Sequence, residues 1–183
     1  LLAGEKRFDD IVLNPIQWYR DNGVTLHLGD PAVAIDRVRR RVRSRNGIEA
    51  EYDRLLLATG SNPIVLPVPG KELPGVVTFR DLQDVNTMLE AARTHKKAVV
   101  IGGGLLGLEA ANALLKQGMQ VTVVHLLETL MERQLDPVAA QLLKQSLEKR
   151  GLQFHMPAKT TAILGMDRAR AVPFADGTLD EVD

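Results

Sequence analysis

The sequence V-V-I-G-G-G-L-L-G-L-E at residues 99–109 constrains the fold of this chain more than any other feature. Its glycines fit the pattern G-x-G-x-x-G, with Gly102, Gly104 and Gly107 at the fixed positions. The pattern alone is a weak signal. Here a strand pattern precedes it, a helical pattern begins inside it, and a second strand pattern returns within about thirty residues. This βαβ context predicts an α/β fold with a dinucleotide-binding turn.

Each conserved position of that pattern has a physical role in the prediction. Gly102 permits a tight turn, Gly104 lets the backbone approach a pyrophosphate, and Gly107 lets helix and strand pack closely. The unpaired N–H groups at the start of the following helix, together with the helix dipole, attract negative charge. A glycine-rich turn without a ligand is the alternative, and the βαβ context argues against it.

Three polar residues are further candidates. Glu109 is expected either near a nicotinamide or as an ordinary acid favoured by the helix dipole. His125 ends the second strand, where an acid that binds the adenosine ribose commonly stands. An imidazole donates to a hydroxyl or, when charged, attracts a 2′-phosphate, and Glu128 is a candidate for the missing acid. A loop histidine without ligand contact is the alternative, and the choice between NADH and NADPH stays open.

The composition limits the class of protein. With 45% hydrophobic residues and a formal net charge of +0, the 183-residue chain is expected to form a packed globule, with no support for binding to membranes or nucleic acid. No apolar run approaches the roughly 20 residues of a spanning helix, no signal peptide pattern is visible, and a cytoplasmic location is expected. Because there are 0 cysteines, redox chemistry would need a bound organic cofactor or residues outside this sequence.

Sequence patterns predict secondary structure on both sides of a proline-rich segment. Before it we expect a helix around residues 16–19, a strand over 24–28, a hairpin turning at Asn46-Gly47, and a strand over 55–58 buried on both faces. Four prolines between residues 62 and 75 indicate an interdomain crossing. After it we expect helices over 82–92, 105–117 and 138–150, strands over 98–101, 121–124 and 152–156, and a hairpin turn at 174–177. Asp136 before Pro137 is the expected N-cap of the third of these helices, and Gly118 and Gly151 are expected to end the second and the third.

Three segments resemble the two-dinucleotide flavoprotein reductases, which bind FAD and NAD(P)H. They are Y-D-R-L-L-L-A-T-G-S-N-P at residues 52–63, the glycine cluster, and F-A-D-G at residues 174–177. Within that family, the run V-V-H-L-x-x-x-L-M-E-R-Q-L-D at residues 123–136 is similar to the large subunits of NAD(P)H-dependent assimilatory nitrite reductases. The resemblance covers essentially the whole chain.

The resemblance implies an α/β, two-dinucleotide-binding fold with an incomplete FAD domain and most of a Rossmann-like NAD(P)-binding domain. A partial FAD-binding domain would span residues 1–66, a crossing linker 67–80, and an NAD(P)H-binding domain 81–183. The family's first glycine fingerprint would stand upstream, and its iron–sulfur and sirohaem ligands downstream. We therefore expect this chain to be a middle segment of a longer protein, inactive on its own.

The resemblance also assigns cofactor-binding residues. Those for NAD(P)H are Gly102, Gly104, Leu105, Leu106, Gly107 and Glu109. His125 is a further candidate for NAD(P)H, which differs from the acid usual in the superfamily and agrees with the nitrite reductase branch. Those for FAD are Ala58, Thr59 and Gly60, with Arg80 and Val33 as further candidates. The implied reaction passes a hydride from the nicotinamide to the flavin and then single electrons to a sirohaem and iron–sulfur centre. No catalytic or metal-binding residue is assigned within this chain.

Several alternatives stay open. A ferredoxin or rubredoxin reductase, an NADH oxidase, or a disulfide reductase with an upstream cysteine would share these motifs. A non-catalytic binding module is an alternative of another class, in which the arginines of residues 37–45 would hold nucleic acid or an acidic partner. The alternation of those arginines with Val38 and Val42 favours an ordinary solvated hairpin face instead. The remaining histidines show no spacing typical of metal ligands, and the oligomeric state is not indicated.

Overall fold

The computed structural model describes all 183 residues, which form two compact units. The larger unit contains residues 1–8 and 62–183, and the smaller contains residues 9–61. The division at residue 62 lies close to the expected end of the first domain at residue 66. The first eight residues, however, belong to the larger unit, because the side chain of Leu2 is buried in its core and Gln117 Nε2 donates to the Leu2 carbonyl at 2.8 Å.

The smaller unit is built around a three-stranded antiparallel sheet. A 3₁₀ turn at Phe8–Ile11 leads into it, and helix α1 spans Ile16–Asp21. The sheet has the strand order β1-β2-β3. Its strands are β1 (Ala32–Asp36), β2 (Arg41–Ser44) and β3 (Glu49–Glu51). The predicted helix and the predicted hairpin at Asn46-Gly47 are therefore confirmed, and Gly47 has the positive φ of 89° that this turn requires.

Two strands predicted for the smaller unit do not form. Residues 24–28 and 55–58 are not part of any sheet. Leu56 and Leu57 are 87% and 66% exposed, although their apolar run predicted burial on both faces. A doubly buried strand needs hydrogen-bonded neighbours and a layer over each face, and no segment of this chain supplies them here.

The larger unit contains a parallel sheet with helices beside it. The strands pair in parallel in the order β4-β5-β6. They are β4 (Lys97–Ile101), β5 (Gln120–Val124) and β6 (Gln153–His155). Helix α3 (Leu105–Lys116) connects β4 to β5, and helix α4 (Pro137–Lys149) connects β5 to β6. Helix α2 (Leu82–Thr94) precedes β4, and strands β7 (Ala171–Pro173) and β8 (Leu179–Glu181) form a hairpin. These elements confirm the α/β prediction and the hairpin turn at residues 174–177.

Local signals set the ends of the helices. Asp81 caps α2, where its carboxylate accepts from the Asp84 N–H while the Asp84 carboxylate accepts from the N–H groups of Arg80 and Asp81. Asp136 caps α4 by accepting from the Ala139 N–H at 2.8 Å.

Glycines mark the C-terminal ends of two helices. Gly118 and Gly151, with φ of 87° and 106°, follow the ends of α3 and α4. The predicted cap and stop residues are therefore confirmed.

The core of the larger unit lies between α3 and the parallel sheet. Ala111 of α3 and Val123 of β5 are 0% exposed, and Val121 is 1% exposed. The small residues on α3 let this helix lie close to the strands, which fixes where its first turn stands relative to the end of β4. No helix in the chain has both the length and the apolar character to span a bilayer.

Candidate functional site

The glycine turn joins the carboxyl end of β4 to the start of α3. Gly102 directly follows β4 and has a φ of 128°, a conformation that favours glycine. Its N–H donates to the Val124 carbonyl of β5 at 2.8 Å. Gly104 is the N-cap residue of α3, and Leu105 begins the helix. The turn is thus at the carboxyl edge of a parallel sheet, where ligands bind in open α/β folds.

The glycines differ in the space around them. A Cβ atom at Gly107 would lie 2.0 Å from the Gly102 carbonyl oxygen, and one at Gly103 would lie 2.6 Å from Leu130 Cδ2. A Cβ atom at Gly102 or Gly104 would meet no atom of the chain within 4 Å. Gly103 and Gly107 are therefore required by packing inside the protein. Gly104, whose φ of −84° suits any residue, is required neither by packing nor by backbone conformation.

The start of α3 presents unused hydrogen-bond donors beside this open space. No side chain caps the helix, and the N–H groups of Gly104, Leu105 and Leu106 have no hydrogen-bond partner within the chain. The side chains of Leu105 and Leu106 are 55% and 52% exposed. Free N–H groups at a helix N-terminus attract anions, and a Cβ atom at Gly104 would meet no atom of the chain within 4 Å.

His125 lies against the turn instead of projecting from it. Its Nδ1 accepts from the Gly103 N–H at 3.1 Å, and its side chain is only 11% exposed. Nε2 is buried and lies 3.3 Å from Glu132 Oε2, at an angle that does not make a hydrogen bond. In this conformation Nδ1 is used by Gly103 and Nε2 is buried. The assignment of His125 to dinucleotide binding stays a prediction.

The two acidic candidates lie on the surface. Glu109, on the second turn of α3, and Glu128, in the loop after β5, are both exposed. The exposed carboxylate of Glu109 is available to a ligand or to solvent, as the sequence prediction allowed. Their roles as cofactor-binding groups stay predictions.

The FAD candidates divide between the two units. Ala58, Thr59 and Gly60 are exposed in the smaller unit, outside any strand, and Gly60 has a φ of 71°. Val33 lies between Ala32 and Ala34 at a bulge in β1, where the pairing with β2 shifts by one residue. Arg80 belongs to the larger unit, and its N–H donates to the Asp84 carboxylate. The assignment of these residues to FAD stays a prediction.

The arginines of residues 37–45 are partly neutralised within the smaller unit. Arg41 Nη2 lies 2.6 Å from Glu51 Oε1, and Arg39 Nη1 lies 3.3 Å from Asp36 Oδ2. The Arg39 N–H, followed by the Val38 N–H, holds the pKa of Asp36 below its usual value. These pairs describe a solvated hairpin with mixed charge. The structure brings together no group of three or more His, Asp or Glu side chains suited to a metal ion.

Sequence analysis missed the loop that supports the turn. The Met131 N–H donates to the Gly103 carbonyl at 3.0 Å, and the Leu130 side chain, 1% exposed, packs against Gly103. Met131 has a positive φ of 51° at this contact. The mixed apolar and polar residues between 126 and 135 did not predict this contact, because it depends on how the loop folds back towards the end of β4.

Comparison with known proteins identifies the family. The family model for pyridine nucleotide-disulphide oxidoreductases matches residues 2–183. The chain is 46% identical, over its whole length, to the nitrite reductase [NAD(P)H] of Bacillus subtilis and 41% identical to the assimilatory nitrate reductase electron transfer subunit of the same organism. It spans about a quarter of each relative, namely 23% and 24%.

Solved structures share the fold. A ferredoxin reductase from Rhodopseudomonas palustris superposes on all of this chain with a TM-score of 0.92 at 30% identity, and the chain covers 45% of that protein. The glycine turn, the parallel sheet and the match along nearly the whole sequence agree. This chain belongs to the pyridine nucleotide-disulphide oxidoreductase family.

Proposed function

We propose that this chain is the NAD(P)H-binding region of a flavin-dependent oxidoreductase of the nitrite reductase type. In the whole protein, reducing equivalents would pass from NAD(P)H to FAD and onward to a sirohaem and iron–sulfur centre outside this chain. The similarity to the Bacillus subtilis nitrite reductase supports the assignment to that type. The FAD-binding role of residues 1–66, the linker over 67–80 and the NAD(P)H-binding role of 81–183 are part of the same proposal.

The observation that carries the proposal is the open space at Gly104. Nothing in the protein requires glycine there, since a Cβ atom would meet no neighbour and the φ is ordinary. A ligand that approaches the backbone closely does require glycine at position 104. The free N–H groups of Gly104, Leu105 and Leu106 would bind the pyrophosphate, whose charge suits the N-terminal end of the helix dipole.

The residues of this chain bind and orient, and the cofactors supply the redox chemistry. When bound, the nicotinamide supplies a hydride and the flavin accepts it and releases single electrons. The turn would fix the dinucleotide by its pyrophosphate, and the exposed Glu109 side chain, one helical turn further along α3, would lie on the nicotinamide side. Ala58, Thr59 and Gly60 would supply backbone contacts to FAD.

A second candidate is electron delivery to a separate acceptor protein. The relative named as an electron transfer subunit and the ferredoxin reductase fold both favour it. The two candidates share the NAD(P)H site and differ only in the terminal acceptor. Nitrite reduction by the whole protein would support the first, and reduction of a ferredoxin or rubredoxin without nitrite reduction would support the second.

The binding proposal is tested by calorimetric titration of this chain with NADH and, separately, with NADPH. An absorption spectrum recorded first would detect any bound flavin. We expect saturable, weak binding of at least one dinucleotide and no retained flavin. A tenfold preference, about 1.4 kcal/mol, would define the cofactor. A folded chain that binds neither dinucleotide would contradict the proposal.

A further inference from the structure

The contact between His125 and Gly103 fixes the protonation state of the imidazole. A backbone N–H is always a donor, so the Nδ1 atom that receives it at 3.1 Å must be unprotonated. The ring proton then lies on Nε2, and the ring is neutral. The strand-end histidine therefore holds the glycine turn as a hydrogen-bond acceptor.

Two contacts orient the peptides of the turn, one with His125 and one with Met131. The Gly103 N–H is directed at His125, and the Gly103 carbonyl accepts from the Met131 N–H at 3.0 Å. In a trans peptide the C=O and the next N–H point in opposite directions. With its carbonyl held by Met131, the peptide that links Gly103 to Gly104 must direct the Gly104 N–H away from the loop, into the open space in front of α3.

The imidazole also fills the space beneath the turn. A Cβ atom at Gly103 would lie 2.8 Å from His125 Cγ and 2.6 Å from Leu130 Cδ2, so ring and leucine together form the surface on which Gly103 rests. Loss of the acceptor would leave the Gly103 N–H buried without a partner, because Gly103 itself is buried.

The charged groups around the ring come from the loop after β5 and from β6. Glu132 Oε2 lies 3.3 Å from Nε2, while Glu128 and Arg133 of the same loop are exposed. His155 of β6 accepts the His125 N–H through its carbonyl, and its own side chain faces Asp180 at 3.2 Å. The glycine turn contributes no titratable group. Glu132 thus supplies the carboxylate that the ring faces at Nε2.

We propose that His125 is a positioning residue that makes dinucleotide binding depend on its protonation. The inference rests on the proposed NAD(P)H site. Protonation of Nδ1 replaces an acceptor by a donor, so the Gly103 N–H loses its partner and the imidazolium is drawn towards Glu132. The peptide between Gly102 and Gly103 then loses its anchor, and only the Met131 contact still orients the Gly104 N–H. Affinity for the pyrophosphate is therefore lower when the imidazole is charged than when it is neutral.

The test is calorimetric titration of the chain with ADP-ribose at pH 8 and at pH 5.5. This probe carries the adenosine and pyrophosphate of NAD(P)H, and its pyrophosphate keeps the same charge at both pH values. We expect at least fivefold weaker binding at pH 5.5 for the wild-type chain. His125→Asn retains an acceptor near the Nδ1 position and cannot become charged, so it should bind within about threefold of wild type at pH 8 and lose the pH dependence.

Two further variants separate positioning from folding. His125→Leu keeps an apolar side chain under the turn but removes the acceptor, and it should bind at least tenfold more weakly at both pH values. Glu132→Gln removes the carboxylate that the imidazolium would approach, so the loss of affinity at pH 5.5 should be smaller than in wild type. Equal binding by His125→Leu and wild type, or a pH dependence that survives in His125→Asn, would overturn the inference.

A measurement without ligand keeps the inference testable if a variant misfolds. In the ¹⁵N spectrum of the free wild-type chain, the Gly103 amide and the His125 ring nitrogens should shift with one common midpoint, and the neutral form should carry its proton on Nε2. A proton on Nδ1 would overturn the inference. Failure of the folded wild-type chain to bind ADP-ribose at pH 8 would contradict the proposed function, whereas pH-independent binding would contradict only the role of His125.

Discussion

A Cβ atom at Gly107 would lie 2.0 Å from the carbonyl oxygen of Gly102. The first turn of α3 therefore rests on the end of β4 with no room for a side chain. Gly107 and Gly102 belong to the same fingerprint, but they act differently. Gly107 permits the contact between helix and turn, while Gly102 supplies the positive φ that turns the chain.

Gly107→Ala is expected to lower the free energy of unfolding by about 1–3 kcal/mol, because the added methyl group must displace backbone atoms. Gly104→Ala is the matched control, since the same methyl group meets open space at an ordinary φ. It should leave the free energy of unfolding within about 0.5 kcal/mol of wild type. Urea unfolding followed by circular dichroism measures both. Equal destabilisation by the two substitutions would contradict the packing role of Gly107.

Gly104→Asp is expected to separate stability from binding. An aspartate at this position would cap α3, which has no side-chain cap, and stabilise the chain by a few tenths of a kcal/mol. Its carboxylate would also compete with the pyrophosphate for the free N–H groups and repel it. We expect an unchanged or higher melting temperature together with at least a tenfold loss of NADH affinity.

Gly104→Asn is the control for charge in that experiment. It caps the helix with a side chain of the same size but carries no charge, so it should bind NADH better than Gly104→Asp does. If calorimetry found wild-type affinity for the aspartate variant, the pyrophosphate would not lie at the start of α3.

The cap of α4 gives a prediction about stability alone. Asp136 Oδ1 accepts from the Ala139 N–H at 2.8 Å, which satisfies one of the donors left free at the helix start. Asp136→Ala should lower the free energy of unfolding by about 1 kcal/mol. Asp136→Ser retains an acceptor and should recover most of that loss. A neutral effect of the alanine substitution in chemical denaturation would show that the cap is not formed in solution.

The carboxylate of Asp183 gives a prediction about pH. It accepts from the N–H groups of Lys96 and Lys97 at the start of β4, and the Lys97 N–H, followed by that of Lys96, holds its pKa below the usual value. The folded pKa lies below the unfolded value near 4, so the carboxylate stabilises the fold above that pH. This stabilisation is lost as the pH falls through the folded pKa.

Asp183→Asn tests that sign directly. The variant should be less stable than wild type at pH 7, and the difference in the urea midpoint should shrink towards zero near pH 2.5. An equal difference at both pH values would mean that the charge of Asp183 does not contribute.

The sequence predicted the larger unit well because its signals are local. Asp136-Pro137, Gly118 and Gly151 mark helix ends through contacts within a few residues of themselves, and the structure confirms each. The spacing of Gly102, Gly104 and Gly107 likewise identified the turn, because the turn, the close packing and the helix start depend on neighbouring backbone atoms.

The predictions that failed depended on distant partners. The run at residues 55–58 has the composition of a doubly buried strand, but composition cannot state which segments would cover it, and here Leu56 is 87% exposed. The hydrogen bond from the Gly103 N–H to His125 Nδ1 was not predicted either, because it joins residues 22 positions apart in the chain. Contacts of this kind follow from the packing of β5 and the loop after it.

The central claim is that the start of α3 binds the pyrophosphate of NAD(P)H. It is tested most directly by a ¹H–¹⁵N NMR titration of the labelled chain with NADH. The account predicts that the amide signals of Gly104, Leu105 and Leu106 shift saturably while those of Arg43 and Glu49 in the hairpin of the smaller unit do not. Saturable shifts confined to other residues, or no shifts in a folded chain at millimolar NADH, would contradict it.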